Sequence, residues 1–127
     1  MTIATGARFP IRFDRGYRAL SSALLLAPSS SFLEVVGDEV RVRMGWAFRT
    51  RFPKSAVTSA RPSALRPLSR GVHGFGGRWL VNGSGEGLVE IALQPRQRGH
   101  VVGFPVRLAT LLVSVDDPVT LAAALTR

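Results

Sequence analysis

The chain has 127 residues, a net charge of +9 and no cysteine. With 46% hydrophobic residues it can bury a core, which excludes a disordered chain, and the lack of cysteine excludes disulfides and thiolate metal sites. The length fits one domain, and a cysteine-free chain is compatible with the cytoplasm. The charge favours polyanionic partners, and no apolar run approaches the roughly 20 residues of a membrane-spanning helix.

The N-terminal segment carries the weakest signals. Residues 1–8 show no periodic pattern and are predicted to be a flexible tail, so that a single domain covers residues 9–127. Phe9–Phe13 alternates in polarity, and Pro10 within it favours an edge or the start of a strand. Asp14 can cap a short helix over residues 15–26, where apolar residues recur at helical spacing; a strand is the alternative for this segment.

The pattern from Phe32 to Pro53 predicts three consecutive antiparallel strands. Apolar residues at even positions alternate with arginines at odd positions, as in a sheet with one solvated face. The Gly37-Asp38 pair fits a two-residue type II′ turn, in which glycine comes first. The next connection is formed by Gly45, Trp46 and Ala47.

The register of these strands follows from matching their apolar faces, because a shift of one residue would bury arginine. It places Arg41 opposite Arg51, Arg43 opposite Arg49, and Glu34 opposite Arg41 on the outer face. The four arginines therefore form a cluster with one nearby acid. Such a cluster can simply cover apolar surface with its aliphatic stems, or it can bind anions or a partner.

The middle of the chain reads as further short strands joined by polar turns. Lys54–Ala60 is compatible with a fourth strand, and Arg61–Gly71, interrupted by two prolines, reads as a basic loop. We expect Arg78–Val81 to pair with Leu88–Leu93 across the turn NGSGEG. Of the two tryptophans, Trp79 lies inside a strand and is predicted to be in the core.

The C-terminal segment combines a long strand with a helix. Val106–Val115 alternates in a way that indicates burial on much of both faces. Asp117 suits a helix N-cap and Pro118 suits the first helical position. These elements together predict a mainly β fold of α+β class: a seven-stranded antiparallel bent or split barrel with a capping C-terminal helix and a possible short N-terminal helix.

Four segments carry a family resemblance: VGDEVRVR, AFRTRFP, residues 55–57 and VSVDDPVTLAAAL. Together they resemble bacterial pleckstrin-homology-like (PH-like) domains and uncharacterised actinobacterial proteins, over roughly residues 32–125. The resemblance implies a bent barrel with a C-terminal helix that binds lipid head groups or peptides, and it implies no catalytic residue. The short acidic Gly37-Asp38 turn departs from the long basic loop of phosphoinositide-binding members.

The sequence shows no catalytic or metal-binding pattern. His73 and His100 are far apart in sequence and have no metal-type spacing around them, so no metal site or cofactor is predicted. The glycine runs GVHGFGG and NGSGEG lack the residues of a phosphate-binding loop and read as turns. Trp46 beside the arginines either folds back on the core or serves as a contact anchor.

The sequence therefore predicts a non-enzymatic binding module in the cytoplasm, either free or peripheral at the membrane. Its candidate binding residues are Arg41, Arg43, Trp46, Arg49 and Arg51, which would meet an acidic partner protein or an anionic membrane surface. A nucleic-acid-binding small barrel is the alternative, although the arginine-bearing strand positions display no Tyr or Phe for base stacking. An enzyme or small-ligand carrier would need polar groups inside the barrel, for which the sequence offers no cluster.

Overall fold

The computed structural model describes residues 6–14, 31–64 and 71–126, and the nine strands within these ranges belong to one sheet. The sheet is strongly curled, and a single α-helix follows it. The strands are β1 (Gly6–Pro10), β2 (Ser31–Val36), β3 (Glu39–Met44), β4 (Phe48–Pro53), β5 (Val57–Pro62), β6 (Gly71–Phe75), β7 (Arg78–Asn82), β8 (Leu88–Val101) and β9 (Phe104–Ser114). The helix is α1 (Pro118–Thr126), and a 3-10 turn covers Lys54–Ala56.

The central strands β2, β3 and β4 form the predicted meander in the predicted register. Arg41 pairs with Arg51 and with Glu34, and Arg43 pairs with Arg49. Burial alternates along β3 and β4, with the apolar side chains inside and the arginines exposed. Gly37 has a φ of 57°, which glycine adopts without steric cost and which suits the first position of a type II′ turn.

The remaining strands correct three features of the predicted fold. The sheet has nine strands instead of seven, and it is mixed, because β7 runs parallel to β9. The predicted pairing of Arg78–Val81 with Leu88–Leu93 is wrong. β7 instead pairs antiparallel with β6, and β8 pairs with β4, β5 and β9. The apolar β7 thus has a strand on each side, which sequence adjacency alone does not reveal.

Boundaries elsewhere differ modestly from the prediction. β1 begins at Gly6, within the segment assigned to the tail, and it forms one edge of the sheet, as Pro10 suggested. The fourth predicted strand begins at Val57, after the 3-10 turn, and β5 continues through Arg61 and Pro62, which were assigned to a basic loop. The predicted helix over residues 15–26 and most of that loop, residues 65–70, lie outside the described residues.

The segment that follows the N-terminal strand joins one edge of the curled sheet to the ends of β9 and β7 in its other half. Beyond β1, Ile11 forms a bridge with Val115, and Phe13 forms one with Gly83 at the end of β7. The backbone N–H of Arg12 donates to the carbonyl of Ser114 at 2.8 Å. These bonds hold the edge strand against the far part of the same sheet, which gives the architecture of a partly closed barrel.

An apolar core fills the inside of this curl. Its fully buried side chains come from both halves of the chain and include Leu33, Phe48, Leu108 and Leu121. Trp79 is half-buried and packs against this core, in partial agreement with the prediction. The helix α1 begins at Pro118 after the Asp117 cap, as predicted, and packs its buried face against β5 and β8. The inward faces are thereby covered, and the arginines are left on the outer side.

Candidate functional site

Two rows of outward-facing residues cross the strands at the centre of the sheet. The row nearer the β3–β4 turn, here called the tip row, contains Phe32, Arg43, Arg49 and His100. The next row, here called the far row, contains Arg8, Glu34, Arg41 and Arg51. Within each row the neighbours are register partners on adjacent strands, so their side chains project side by side.

The far row is largely neutralised by acids. Glu34 contacts Arg8 at 2.9 Å and Arg41 at 4.0 Å, and Glu39 contacts Arg41 at 3.3 Å and Arg51 at 3.6 Å. The hydrogen bond and charge of Glu39 raise the pKa of Arg41, which keeps this guanidinium fully protonated. The three arginines of this row thus share two carboxylates, and the network offsets much of the repulsion between Arg41 and Arg51.

The tip row has no such compensation. Arg43 donates from Nε to the carbonyl of Gly45 at 3.2 Å, which holds its guanidinium toward the β3–β4 turn. Among the ranges that the structure describes, no carboxylate pairs with Arg43 or Arg49, nor with Arg98 on the adjacent β8. The positive charge of the outer face is therefore concentrated on this row and on β8.

The two rows enclose an open depression of about 730 Å³ on the outer face of the sheet. All four arginines predicted as site residues line it, and the structure thus brings Arg41, Arg43, Arg49 and Arg51 together as expected. Trp46 is not among the lining residues. It stands in the β3–β4 turn with 54% of its surface exposed, so it does not fold back on the core.

Sequence reasoning missed part of the depression. Its lining also includes Arg8, Phe32, Arg98 and His100. His100 was not among the predicted site residues, but it lies beside Arg49 because β8 pairs with β4. The alternation of Arg96, Arg98 and His100 indicates a strand with one basic face. It does not show which strand lies next to that one in the sheet.

An aromatic ring also lies on this face, at the margin of the charged rows. Phe32 is half-buried, and the guanidinium of Arg8 stacks over its ring at 4.1 Å from the centroid. Such stacking fixes the arginine by a cation–π contact and covers the ring. The ring of Phe32 is thus engaged within the protein.

The arrangement has the chemistry of an anion-binding surface. Guanidinium groups donate paired hydrogen bonds to carboxylates and phosphates, and several of them line one depression. Within the described ranges, no group of three or more His, Asp or Glu side chains could hold a metal ion. None of the helices described here is long and apolar enough to cross a membrane.

Comparison of the chain with protein-family models, with curated proteins and with solved structures found no match. The resemblance to PH-like domains therefore stays a prediction. What the structure itself supports is a mainly β, curled sheet with one C-terminal helix.

Proposed function

We propose that this protein is a non-enzymatic binding module that recognises an anionic partner, either an acidic protein or an anionic membrane surface, through its arginine-rich sheet face. The observation that carries the proposal is the unequal distribution of acids over this face. Glu34 and Glu39 neutralise the far row, whereas Arg43 and Arg49 in the tip row have no carboxylate of the described residues beside them. Arginines that only covered apolar surface would not require acids beside one row and no acids beside the other.

Charge supports the same proposal at longer range. The net charge of +9 attracts anionic partners, and it raises association rates most at low ionic strength. Complementary charge contributes chiefly to orientation and to the rate of encounter, and the depression supplies a surface on which several phosphates or carboxylates can be held together. We place this activity in the cytoplasm, with peripheral attachment where the partner is a membrane.

A relationship to PH-like domains is part of this proposal. The curled sheet and the terminal helix are compatible with it, and a binding role is what such a relationship would imply. The nine strands and the parallel pairing of β7 with β9 were not expected from the resemblance. The two-residue Gly37-Asp38 turn argues against a phosphoinositide loop at that position, which is why the proposed site is the sheet face.

Charge reversal on the tip row tests the proposal. The double variant Arg43→Glu/Arg49→Glu is compared with wild type for binding to immobilised polyglutamate and to anionic vesicles at several salt concentrations. The control Lys54→Glu/Arg96→Glu makes the same change in net charge at residues outside the depression. Each reversal removes two charges, so both variants fall from +9 to +5.

We expect the tip-row variant to lose at least about tenfold in affinity for whichever anion the wild type binds, and the control to lose much less. Circular dichroism and the melting temperature show whether each variant is folded. Equal losses in the two variants would mean that only net charge matters, and the sheet face would then not be the site.

Nucleic acid is the alternative partner. Arginines would hold its phosphates with a steep dependence on salt, but the one aromatic ring identified in the depression, that of Phe32, is covered by Arg8. A gel shift with random single-stranded oligonucleotides that persists at moderate salt would favour this alternative over the proposed partner classes.

A further inference from the structure

Exposed apolar side chains gather at one end of the sheet. Four large hydrophobic residues of the described chain are exposed, and three of them lie in or beside two neighbouring turns: Trp46, Val102 and Phe104 at 54%, 53% and 72% exposure. The two turns are joined directly, because the backbone N–H of Val102 donates to the carbonyl of Ala47 at 2.9 Å. These three residues are here called the apolar tip.

Val102 is an unfavourable residue for the turn in which it lies. Val102 and Gly103 connect β8 to β9 with φ values of 49° and 83°, and positive φ at both residues is the mark of a type I′ turn. Asn or Gly is the usual first residue of such a turn, since a β-branched side chain in this conformation is strained. A strained, exposed valine contributes nothing evident to folding, which points to a use for its apolar surface.

The apolar tip adjoins the uncompensated charge. Arg43 and Arg49 are the first outward-facing pair next to the β3–β4 turn, and Phe104 lies one residue before Pro105, the register partner of His100. The far row, with its carboxylates, lies two residues further along each strand, about 7 Å away. From the tip inward, the order is therefore apolar side chains, arginines without acids, and then neutralised arginines.

From this order we infer that the protein docks on an anionic lipid bilayer tip-first, a conclusion that rests on the proposed function. Trp46, Val102 and Phe104 enter the interfacial region, and Arg43 and Arg49 bind the phosphates of the head groups. Tryptophan and phenylalanine partition favourably into this region, and basic residues next to them add attraction to anionic lipid. An acidic protein surface would match the arginines alone and would leave the apolar tip in water.

Vesicle binding by the full chain tests the inference. Phosphatidylcholine vesicles with and without phosphatidylglycerol are the probes, and flotation gives the bound fraction. We expect wild type to bind only the anionic vesicles, and Trp46→Ser/Phe104→Ser to bind them at least about tenfold more weakly, because two interfacial side chains are lost. Both substitutions are at exposed positions, so the fold should persist, which circular dichroism checks.

Depth of insertion is measured by quenching of tryptophan fluorescence with lipids brominated in their acyl chains. Wild type should be quenched, and the vesicle-bound fraction of Trp46→Phe should show little of that quenching, because the remaining tryptophan, Trp79, is half-buried against the core. Quenching that is the same in Trp46→Phe as in wild type would contradict insertion of the tip.

The outcomes separate this inference from the proposed function. If the tip variants bind anionic vesicles as wild type does while Arg43→Glu/Arg49→Glu does not, the face binds anions but the tip does not insert. If wild type binds polyglutamate but no vesicle, the partner is an acidic protein and the membrane inference is wrong. If wild type binds neither probe, both the inference and the proposed function are refuted.

Discussion

Replacing Val102 by asparagine should stabilise the protein while weakening its proposed attachment to membranes. Val102 has a φ of 49° in the β8–β9 turn, and the left-handed region costs an L-residue about 1–2 kcal/mol, whereas Asn is enriched there. The side chain is half exposed, so losing its buried part costs less than about 1 kcal/mol. The net gain should be about 1 kcal/mol, or a rise of about 3–6 °C in Tm for a domain of this size.

Urea unfolding followed by circular dichroism measures this change as a shift in midpoint at constant slope. Gly103→Ala is the matched control, because it introduces a side chain at a φ of 83° in the same turn and should destabilise the fold by about 1 kcal/mol or more. An Asn variant that is no more stable than wild type would show that Val102 is not strained. The exposed apolar surface of Val102 would then need no functional explanation.

Three further predictions concern the fold. Leu33→Ala should cost about 2–5 kcal/mol in urea unfolding, since this side chain is fully buried in the core; a loss below 1 kcal/mol would contradict that packing. Thr50→Val should cost about 1 kcal/mol in the same assay, because the Thr50 hydroxyl donates to the carbonyl of Arg98 at 2.7 Å and ties β4 to β8; an unchanged midpoint would mean that water replaces this bond. Asp117→Ala should lower Tm by a few degrees at pH 7, because Asp117 caps α1. Hydrogen bonds from the hydroxyl and backbone N–H of Thr120 lower the pKa of Asp117, so its stabilising effect is present above its unfolded pKa of about 3.9. The difference in Tm between the two proteins should therefore shrink as the pH falls through the lowered folded value, and a difference that stays constant down to pH 2 would argue against this cap.

Some residues of the site could be placed from the sequence, and others could be placed only from the pairing of distant strands. Arg41, Arg43, Arg49 and Arg51 could be placed from the sequence, because they lie on strands joined by short turns. His100 and Arg98 joined them only through the pairing of β4 with β8, in which register partners such as Arg49 and His100 lie far apart in the sequence. The proximity of the Val102 turn to the Trp46 turn likewise depends on this long-range pairing.

The sequence by itself determined the β2–β4 meander, its register, its arginine-bearing outer face and the cap of the C-terminal helix. These features are local: a two-residue turn and strict alternation leave one register in which arginine stays out of the core. Only the tertiary structure decided the number of strands, the parallel pairing of β7 with β9 and the order in which β8 meets three other strands. Several short apolar strands can pair in many ways with similar local energy, so the burial of the whole core selects among them.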